Sequence, residues 1–180
     1  MRSQTTDLWL EIGFGSGEHF CAQASSHPEA THIGVEPYVN GVASCLSQIE
    51  AQRLGNVWLA IDDARLLLDR LEPGSLTQIS VLFPDPWPKT RHHKRRIVNR
   101  DTAHRFADHL EPGGDLRLAS DDPSYIAWML EALALEPRLA WTATSVGDWR
   151  ERPSDVVATR YEQKALIAGR RCSYLTFQRI

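Results

Sequence analysis

The sequence predicts an α/β fold of the Rossmann-like type, with a doubly wound, mostly parallel sheet and an antiparallel terminal strand. Three observations predict this fold. Short apolar segments of strand length alternate with segments of helical periodicity along most of the chain, as in βαβ units. The first apolar segment runs directly into a glycine-rich turn. The last residues, 174–180, alternate apolar and polar side chains as a terminal strand does.

The elements of the first half follow from local signals. An apolar run that ends in glycines predicts the first strand. A stretch of helical spacing before Gly55 predicts a long helix with that glycine as its C-cap. The sequence Glu72-Pro73-Gly74 ends the third helix. In order, the predicted elements are strand 8–12, helix 18–25, strand 31–36, helix 39–54, strand 57–61, helix 65–71 and strand 78–83.

The second half continues the alternation after a proline-rich basic segment. Its Glu-Pro-Gly-Gly sequence at 111–114 predicts a turn. Residues 147–171 are polar, partly basic and without clear periodicity, so no regular element is predicted there. The predicted elements are helix 101–110, strand 115–119, helix 124–135, strand 138–144 and strand 174–180. Residues 1–180 are expected to form a single domain.

Composition excludes several classes of protein. The apolar runs are far shorter than the roughly 20 residues of a membrane span, and the polar segment 1–7 lacks the apolar core of a signal peptide. Cys21, Cys45 and Cys172 are scattered, which favours free thiols in a reducing cytoplasm. No histidine spacing is typical of a metal site, so no metal is expected. We expect no membrane association and no obligate protein partner, and either a monomer or a homodimer.

The net charge of −3 conceals a local concentration of positive charge. The stretch from Lys89 to Arg100 holds six of the 20 basic residues and none of the 23 acidic ones. Such a run is usually a solvated surface. Here it begins four residues after Asp85, a candidate site residue, and we therefore interpret it as a surface that binds a polyanion.

Carboxylate side chains lie near or just after the ends of four successive predicted strands. Glu11 precedes the glycine-rich turn, Glu36 ends the second strand, and Asp62-Asp63 and Asp85 follow the third and fourth. Ligands of open α/β sheets bind outside the carboxyl ends of the strands, so these side chains are expected to share one site. Simpler roles remain for each of them, such as a solvated strand end for Glu36 or a helix N-cap for Asp62, where the cap is favoured.

The charge around the glycine turn selects among nucleotide ligands. A nicotinamide dinucleotide places an anionic pyrophosphate at the first helix, where Glu11 and Glu18 would repel it. The turn also reads GxGxG, through Gly13, Gly15 and Gly17, and not GxGxxG. These features favour S-adenosylmethionine, which carries a sulfonium and an ammonium group, over the cofactor of an NAD-dependent oxidoreductase.

The segment 84–96 reads PDPWPKTRHHKRR and is expected to contact bases and phosphates. Its three prolines stiffen the exit from the fourth strand. Trp87 could stack on a planar base or pack in the core. The side chains expected to contact phosphates are Arg91, His92, His93, Lys94, Arg95 and Arg96.

The chain resembles the tRNA (guanine-N7-)-methyltransferase family over nearly its whole length. The matching segments are LEIGFGSG at 10–17, Glu36, Asp-Ala at 63–64, FPDPWPKTRHHKRR at 83–96, LASD at 118–121 and ATRYE at 158–162. The resemblance implies an enzyme that methylates N7 of guanine at position 46 of the tRNA variable loop. Family members usually have an additional segment before the first strand, and often have Lys and Phe where this chain has Arg160 and Tyr161.

The resemblance also implies roles for individual residues. Asp85 matches the residue proposed as catalytic and one of those that bind the cofactor. The expected cofactor-binding residues are Glu11, Gly13, Gly15, Gly17, Glu36, Asp63 and Asp85. The expected substrate-binding residues are Lys89, Asp121, Thr159, Arg160, Tyr161 and Glu162. Three other functions remain as alternatives: an NAD-dependent oxidoreductase with a Rossmann sheet, a non-catalytic RNA-binding domain with a degenerate cofactor site, and a methyltransferase for a protein or small molecule.

Overall fold

The computed structural model describes residues 6–180, and the strands of that region form one mixed sheet. Most of the polar segment 1–7 lies outside the described residues. The strands are β1 Leu8–Ile12, β2 Thr31–Val35, β3 Val57–Ala60, β4 Leu76–Leu82, β5 Leu110–Ser120, β6 Leu139–Trp141 and β7 Ser173–Arg179. The helices are α1 Glu18–Ser26, α2 Val39–Gln52, α3 Ala64–Leu68, α4 Arg100–His109, α5 Pro123–Ala134, α6 Gly147–Arg150 and α7 Arg160–Ile167, with a 3₁₀ helix at Thr90–Arg95.

The sheet order is β3-β2-β1-β4-β5-β7-β6. Strands β1 to β5 pair in parallel, whereas β7 runs antiparallel to both β5 and β6. The predicted doubly wound sheet with an antiparallel terminal strand is therefore confirmed. The chain moves outward from β1 to β3 and then returns to the other side of β1 at β4. This reversal opens a crevice at the carboxyl ends of β1 and β4, where ligands of such sheets bind.

Two apolar clusters fix the sheet beneath that crevice. The larger one lies between the sheet and α4 and α5, and includes the buried Leu10, Ile79 and Phe106. The smaller one packs Phe14 of the glycine turn against Phe20 of α1, with ring centroids 5.5 Å apart. This aromatic contact anchors the glycine turn to helix α1.

Two caps differ from the prediction. Helix α2 ends at Arg53, whose φ of 55° is left-handed and whose amide donates to the carbonyl groups of Glu50 and Ile49, so the prediction of Gly55 as C-cap is wrong. Helix α3 is capped by Asp63, whose carboxylate accepts from the amide of Arg65. Asp62 instead accepts from the amide of Asp63, so the favoured N-cap role for Asp62 is also wrong.

Two segments are more regular than predicted. Residues 111–114 form a bulge inside β5 and not a separate turn, because Leu110 still pairs with Leu76 while Asp115 pairs with Gln78. The stretch 147–171 contains α6 and α7. Helix α7 depends on tertiary contact, since its residue Ala165 is fully buried in a polar sequence. Within residues 6–180, no helix is long and apolar enough to cross a membrane.

Candidate functional site

A pocket of about 480 Å³ lies at the carboxyl edge of the sheet, where the turns after β1, β2, β3 and β4 meet. These turns bring acidic side chains into one wall, as expected from the strand order. The predicted site residues that line the pocket are Gly13, Gly15, Glu36, Asp63, Asp85, Arg95 and Tyr161, together with Trp87.

The glycine turn forms the floor of the pocket next to β1. Gly13, Gly15 and Gly17 have φ values of 74°, 57° and 88°, a region that side chains with a Cβ rarely adopt. At Gly17 a Cβ would also lie 2.5 Å from Sγ of Cys45. At Gly13 it would meet no described atom within 4 Å, so the backbone there is open to close approach by a ligand.

Glu36 joins the glycine turn to the start of α2. One carboxylate oxygen, Oε2, accepts from the amide of Gly15 at 2.9 Å, and Oε1 accepts from the amide of Tyr38 at 2.9 Å. Each oxygen retains one lone pair, because a carboxylate offers about four acceptor sites. Glu36 is therefore held rigidly in the pocket wall and can still accept two hydrogen bonds from a ligand.

Glu11 lies outside the pocket wall. It lines a separate small cavity beside α1, where its Oε2 is 2.7 Å from Nδ1 of His19 and both side chains are buried. Burial lowers the pKa of His19, but the adjacent Glu11 carboxylate outweighs it and raises the pKa above the ordinary 6.5. The structure thus pairs Glu11 with a side chain of the protein itself.

Asp63 also lines the pocket, and the negative charge of its carboxylate is partly neutralised by Arg65. Its carboxylate accepts from the amide of Arg65 at 2.9 Å and from the guanidinium of the same residue at 3.0 Å. Asp85 differs, because it is exposed in the pocket wall and has no hydrogen-bond partner among residues 6–180. Asp85 is therefore the carboxylate in the wall with the most freedom to interact with a ligand.

The loop that carries Asp85 has an unusual backbone. Phe83 and Trp87, on either side of it, have φ values of 51° and 44°, although neither is glycine. Such conformations cost roughly 1–3 kcal/mol each and persist only where the surroundings impose them. One constraint is the hydrogen bond from the amide of Phe83 to the carbonyl of Ala119, at 2.8 Å.

The basic segment after this loop folds into the 3₁₀ helix. Arg95 is exposed, lines the pocket and stacks over Trp87 at 4.8 Å from the ring centroid. The ring of His92 meets the same indole edge-on at 5.8 Å. Lys89, Arg91 and Lys94 are exposed, and His93 packs half-buried with its ring centroid 5.4 Å from that of Trp128.

Arg96 points into the protein and is only 1% exposed. Its guanidinium carbon lies 4.8 Å from the ring centroid of Tyr125 and 5.0 Å from that of Trp128. Its Nε donates to the carbonyl of Pro86 at 2.8 Å, and Nη2 donates to Oγ of Ser124 at 3.1 Å. Arg96 therefore ties α5 to the loop that carries Asp85.

The expected substrate-binding residues of the second half divide between two surfaces. Tyr161 lines the pocket, whereas Asp121 and Glu162 lie outside its wall. Oδ2 of Asp121 accepts from Nε of Arg170 at 2.5 Å. Thr159 caps α7 by accepting from the amide of Glu162 at 3.2 Å. Arg160 donates to Glu18 at 2.8 Å.

Five pocket residues were not singled out from the sequence: Val35, Pro37, Tyr38, Arg65 and Ile97. Val35 ends strand β2, and Pro37 and Tyr38 follow within three residues, so their position at the carboxyl edge was available as a signal. Arg65 and Ile97 lie in segments with no local feature that indicates a pocket.

Comparison with known proteins gives consistent matches. The family model described as "Putative methyltransferase" matches residues 5–175. A tRNA (guanine-N(7)-)-methyltransferase of Rhodospirillum rubrum is 51% identical over 172 residues, covering 96% of this chain and 68% of that protein. The enzyme of the same name from Azorhizobium caulinodans is 45% identical over 174 residues, covering 97% of this chain and 76% of that protein.

Solved structures share the fold at low sequence identity. The precorrin-6y C5,15-methyltransferase of Geobacter metallireducens superposes with a TM-score of 0.65 at 13% identity, covering 98% of this chain and 81% of that one. The antibiotic-resistance methyltransferase Kmr gives a TM-score of 0.62 at 18% identity, covering 99% of this chain and 89% of that one. The overall architecture is therefore that of known methyltransferases.

Proposed function

The chain belongs to the tRNA (guanine-N(7)-)-methyltransferase family, and from this premise we propose that it transfers a methyl group from S-adenosylmethionine to N7 of a guanine in tRNA. The observation that carries the proposal is the position of Asp85. Its exposed carboxylate lines the same pocket as Arg95, which belongs to the cationic 3₁₀ helix. A ligand in the pocket and a polyanion on that helix would therefore meet at Asp85.

The pocket fits the proposed cofactor. S-adenosylmethionine supplies a methyl group on a positively charged sulfonium when it is bound. Glu36 offers two free lone pairs at a spacing suited to the paired hydroxyls of a ribose, and Asp63 and Asp85 add negative charge. The open backbone at Gly13 leaves room for a ligand against the floor. Glu11 supports this site by holding His19 of α1 next to β1.

Methyl transfer to N7 requires mainly that the protein align the base with the methyl group and stabilise the charge that develops on the purine. Guanine N7 has an in-plane lone pair and no proton, so its attack needs no general base. The residues must hold the base in line with the methyl group, which is an effect of orientation. Positive charge develops on the purine during the reaction, and a carboxylate at Asp85 stabilises it.

Recognition of guanine is assigned to Lys89 and to residues of the second half of the chain. The proposed substrate-binding residues are Lys89, Asp121, Thr159, Arg160, Tyr161 and Glu162. A carboxylate can accept from N1–H and the N2 amino group of guanine, which adenine does not offer in that arrangement. The proposed target is position 46 of the variable loop. Phosphates near it would contact exposed residues of the basic segment, chiefly Arg91, Lys94 and Arg95.

Replacement of Asp85 tests this proposal. We expect Asp85→Asn to lower kcat for methyl transfer to unmodified tRNA by about 100-fold or more, because a preorganised charge is lost. The Kd for tRNA should change little. The assay follows methyl incorporation and maps the product to N7 of guanine by its chemical lability. Asp101→Asn, at an exposed aspartate of α4, is the matched control.

Two outcomes would contradict the proposal. Wild-type turnover in Asp85→Asn would remove Asp85 from the reaction, and a methyl group mapped to another atom or base would reject the N7 assignment. The binding of S-adenosylmethionine, measured by calorimetry, shows whether each variant retains its pocket.

The protein is also proposed to act in the cytoplasm, as a monomer or homodimer without an obligate protein partner. The free thiols of Cys21, Cys45 and Cys172 support a reducing compartment. Light scattering of the purified protein would determine the oligomeric state.

A further inference from the structure

A second cationic surface lies outside the pocket, between α6, α7 and the start of β7. Its lining includes four arginines, Arg150, Arg152, Arg170 and Arg171, and all four are exposed. The buried side chains of Glu162 and Tyr174 also line it. We call this surface the arginine groove. In the sequence these arginines are dispersed over residues 150–171, and only the fold brings them together.

Helix α7 is the wall between the arginine groove and the pocket. Tyr161 lines the pocket, and its Cε2 lies 3.4 Å from where a Cβ on Gly15 would stand. The next residue, Glu162, lines the arginine groove. Two consecutive residues thus face the two surfaces, which places the groove within one helix width of the pocket.

The arginines of the groove are only partly neutralised. Arg152 donates to Oε1 of Glu162 at 3.2 Å, and Arg170 donates to Asp121 at 2.5 Å. Arg150 and Arg171 have no carboxylate within ion-pair distance in the part of the chain that the structure describes. Arg150 is nevertheless held in place, because it donates to Oγ of Ser173 at 3.0 Å and stacks over Trp149 at 3.9 Å. The groove therefore keeps a net positive charge with a preorganised donor.

Glu162 adds an acceptor that lacks a donor. Its Oε1 accepts from the hydroxyl of Tyr174 at 2.5 Å, but its buried Oε2 has no hydrogen-bond partner among the described residues. A buried acceptor without a donor costs about 1–3 kcal/mol. The site would therefore gain from a ligand that brings both N–H donors and negative charge.

We propose that the arginine groove binds the RNA backbone next to the target guanine, as a second phosphate-contact surface separate from the 3₁₀ helix. This proposal rests on the proposed function. A nucleotide strand offers a phosphate at every residue for the arginines and base N–H groups for Glu162. RNA is favoured over an acidic peptide because the groove adjoins, across α7, the pocket that the proposed substrate enters. The RNA would then be held on both sides of the pocket, by the 3₁₀ helix on one side and by the arginine groove on the other.

The test is the salt dependence of tRNA binding in the double variant Arg150→Gln/Arg171→Gln. We expect the slope of log K against log salt concentration to become shallower by about 0.7 to 0.9 for each phosphate contact that is lost. Arg53→Gln is the matched control, because Arg53 is an exposed arginine at the far end of α2. The slope of this control should equal that of the wild type.

A wild-type slope in the double variant would overturn the proposal, provided that its Tm and its affinity for S-adenosylmethionine show a folded protein. An equal loss of slope in Arg53→Gln would also overturn it, since the effect would then come from net charge alone. Methyl transfer by the wild type is measured in parallel. Its absence would reject the proposed function, whereas its presence with an unchanged slope would reject the groove alone.

Discussion

Arg96 shows how a tertiary contact changes the meaning of a residue in a basic run. It is the last of the cations in the sequence RHHKRR, yet it is buried against Tyr125 and Trp128 of α5. The neighbouring Arg95 is exposed. Charge alone cannot separate the two, because the difference depends on which side of a short 3₁₀ helix faces α5. The phosphate-contact role proposed from the sequence therefore suits Arg91, Lys94 and Arg95 better than Arg96.

Replacement of Arg96 should destabilise the protein. Arg96→Ala removes two cation–π contacts, each worth about 0.5–2 kcal/mol. It also leaves the carbonyl of Pro86 without its donor, which costs about 1–3 kcal/mol. We expect a loss of about 3 kcal/mol in the free energy of unfolding, measured with denaturant. Arg91→Ala, at an exposed neighbour, should change it by less than about 0.5 kcal/mol. Equal effects of the two variants would contradict the buried role.

The pair of His19 and Glu11 predicts a pH dependence. The pKa of His19 is raised above the ordinary 6.5, so the pair stabilises the folded state fully below pH 6.5. That contribution is lost as the pH rises through the raised pKa. The difference in Tm between the wild type and His19→Gln should therefore be largest in mildly acidic solution and shrink above neutral pH. A difference that grows with pH would contradict the assigned direction.

At the scale of elements, α7 depends on its cap. Thr159 accepts from the amide of Glu162, and loss of such a cap costs about 1 kcal/mol. Thr159→Ala should lower Tm by about 2–4 °C in a chain of this size. Thr159→Ser keeps the hydroxyl and should restore Tm. If methyl transfer recovers in the serine variant as well, the hydroxyl is what the site requires. If transfer fails in both variants, the methyl group of Thr159 matters too.

Elements with strong local signals were predicted well, and those that depend on distant contacts were not. Strand β1 has the predicted bounds, because an apolar run followed by glycines is a local signal. The 3₁₀ helix, the bulge in β5 and helix α7 were not predicted. The bulge arises because the strand resumes pairing with β4 after Gly113, whose φ is 87°. Such pairing is decided by a partner strand far away in sequence.

At the scale of the whole molecule, the ligand preference of the pocket can be measured directly. A ligand at 100 times its Kd stabilises the folded state by about 2.7 kcal/mol, which is about 5–11 °C in Tm here. We expect S-adenosylmethionine to produce such a shift and a nicotinamide dinucleotide to produce none, since the carboxylates of Glu36, Asp63 and Asp85 in the pocket wall would repel its pyrophosphate. A shift with the dinucleotide would favour the oxidoreductase alternative.

Sequence patterns alone were enough to predict the fold class, the family and the acidic turns after β2, β3 and β4 at one edge of the sheet. These follow from periodicity, from glycine spacing and from the long motif around Asp85, all of which are local in the chain. The pairing of Glu11 with His19 outside the pocket, the burial of Arg96 and the meeting of four dispersed arginines in one groove became known only from the folded chain. The physical reason is that side-chain environment depends on packing between segments distant in sequence, and neither composition nor periodicity encodes that packing locally.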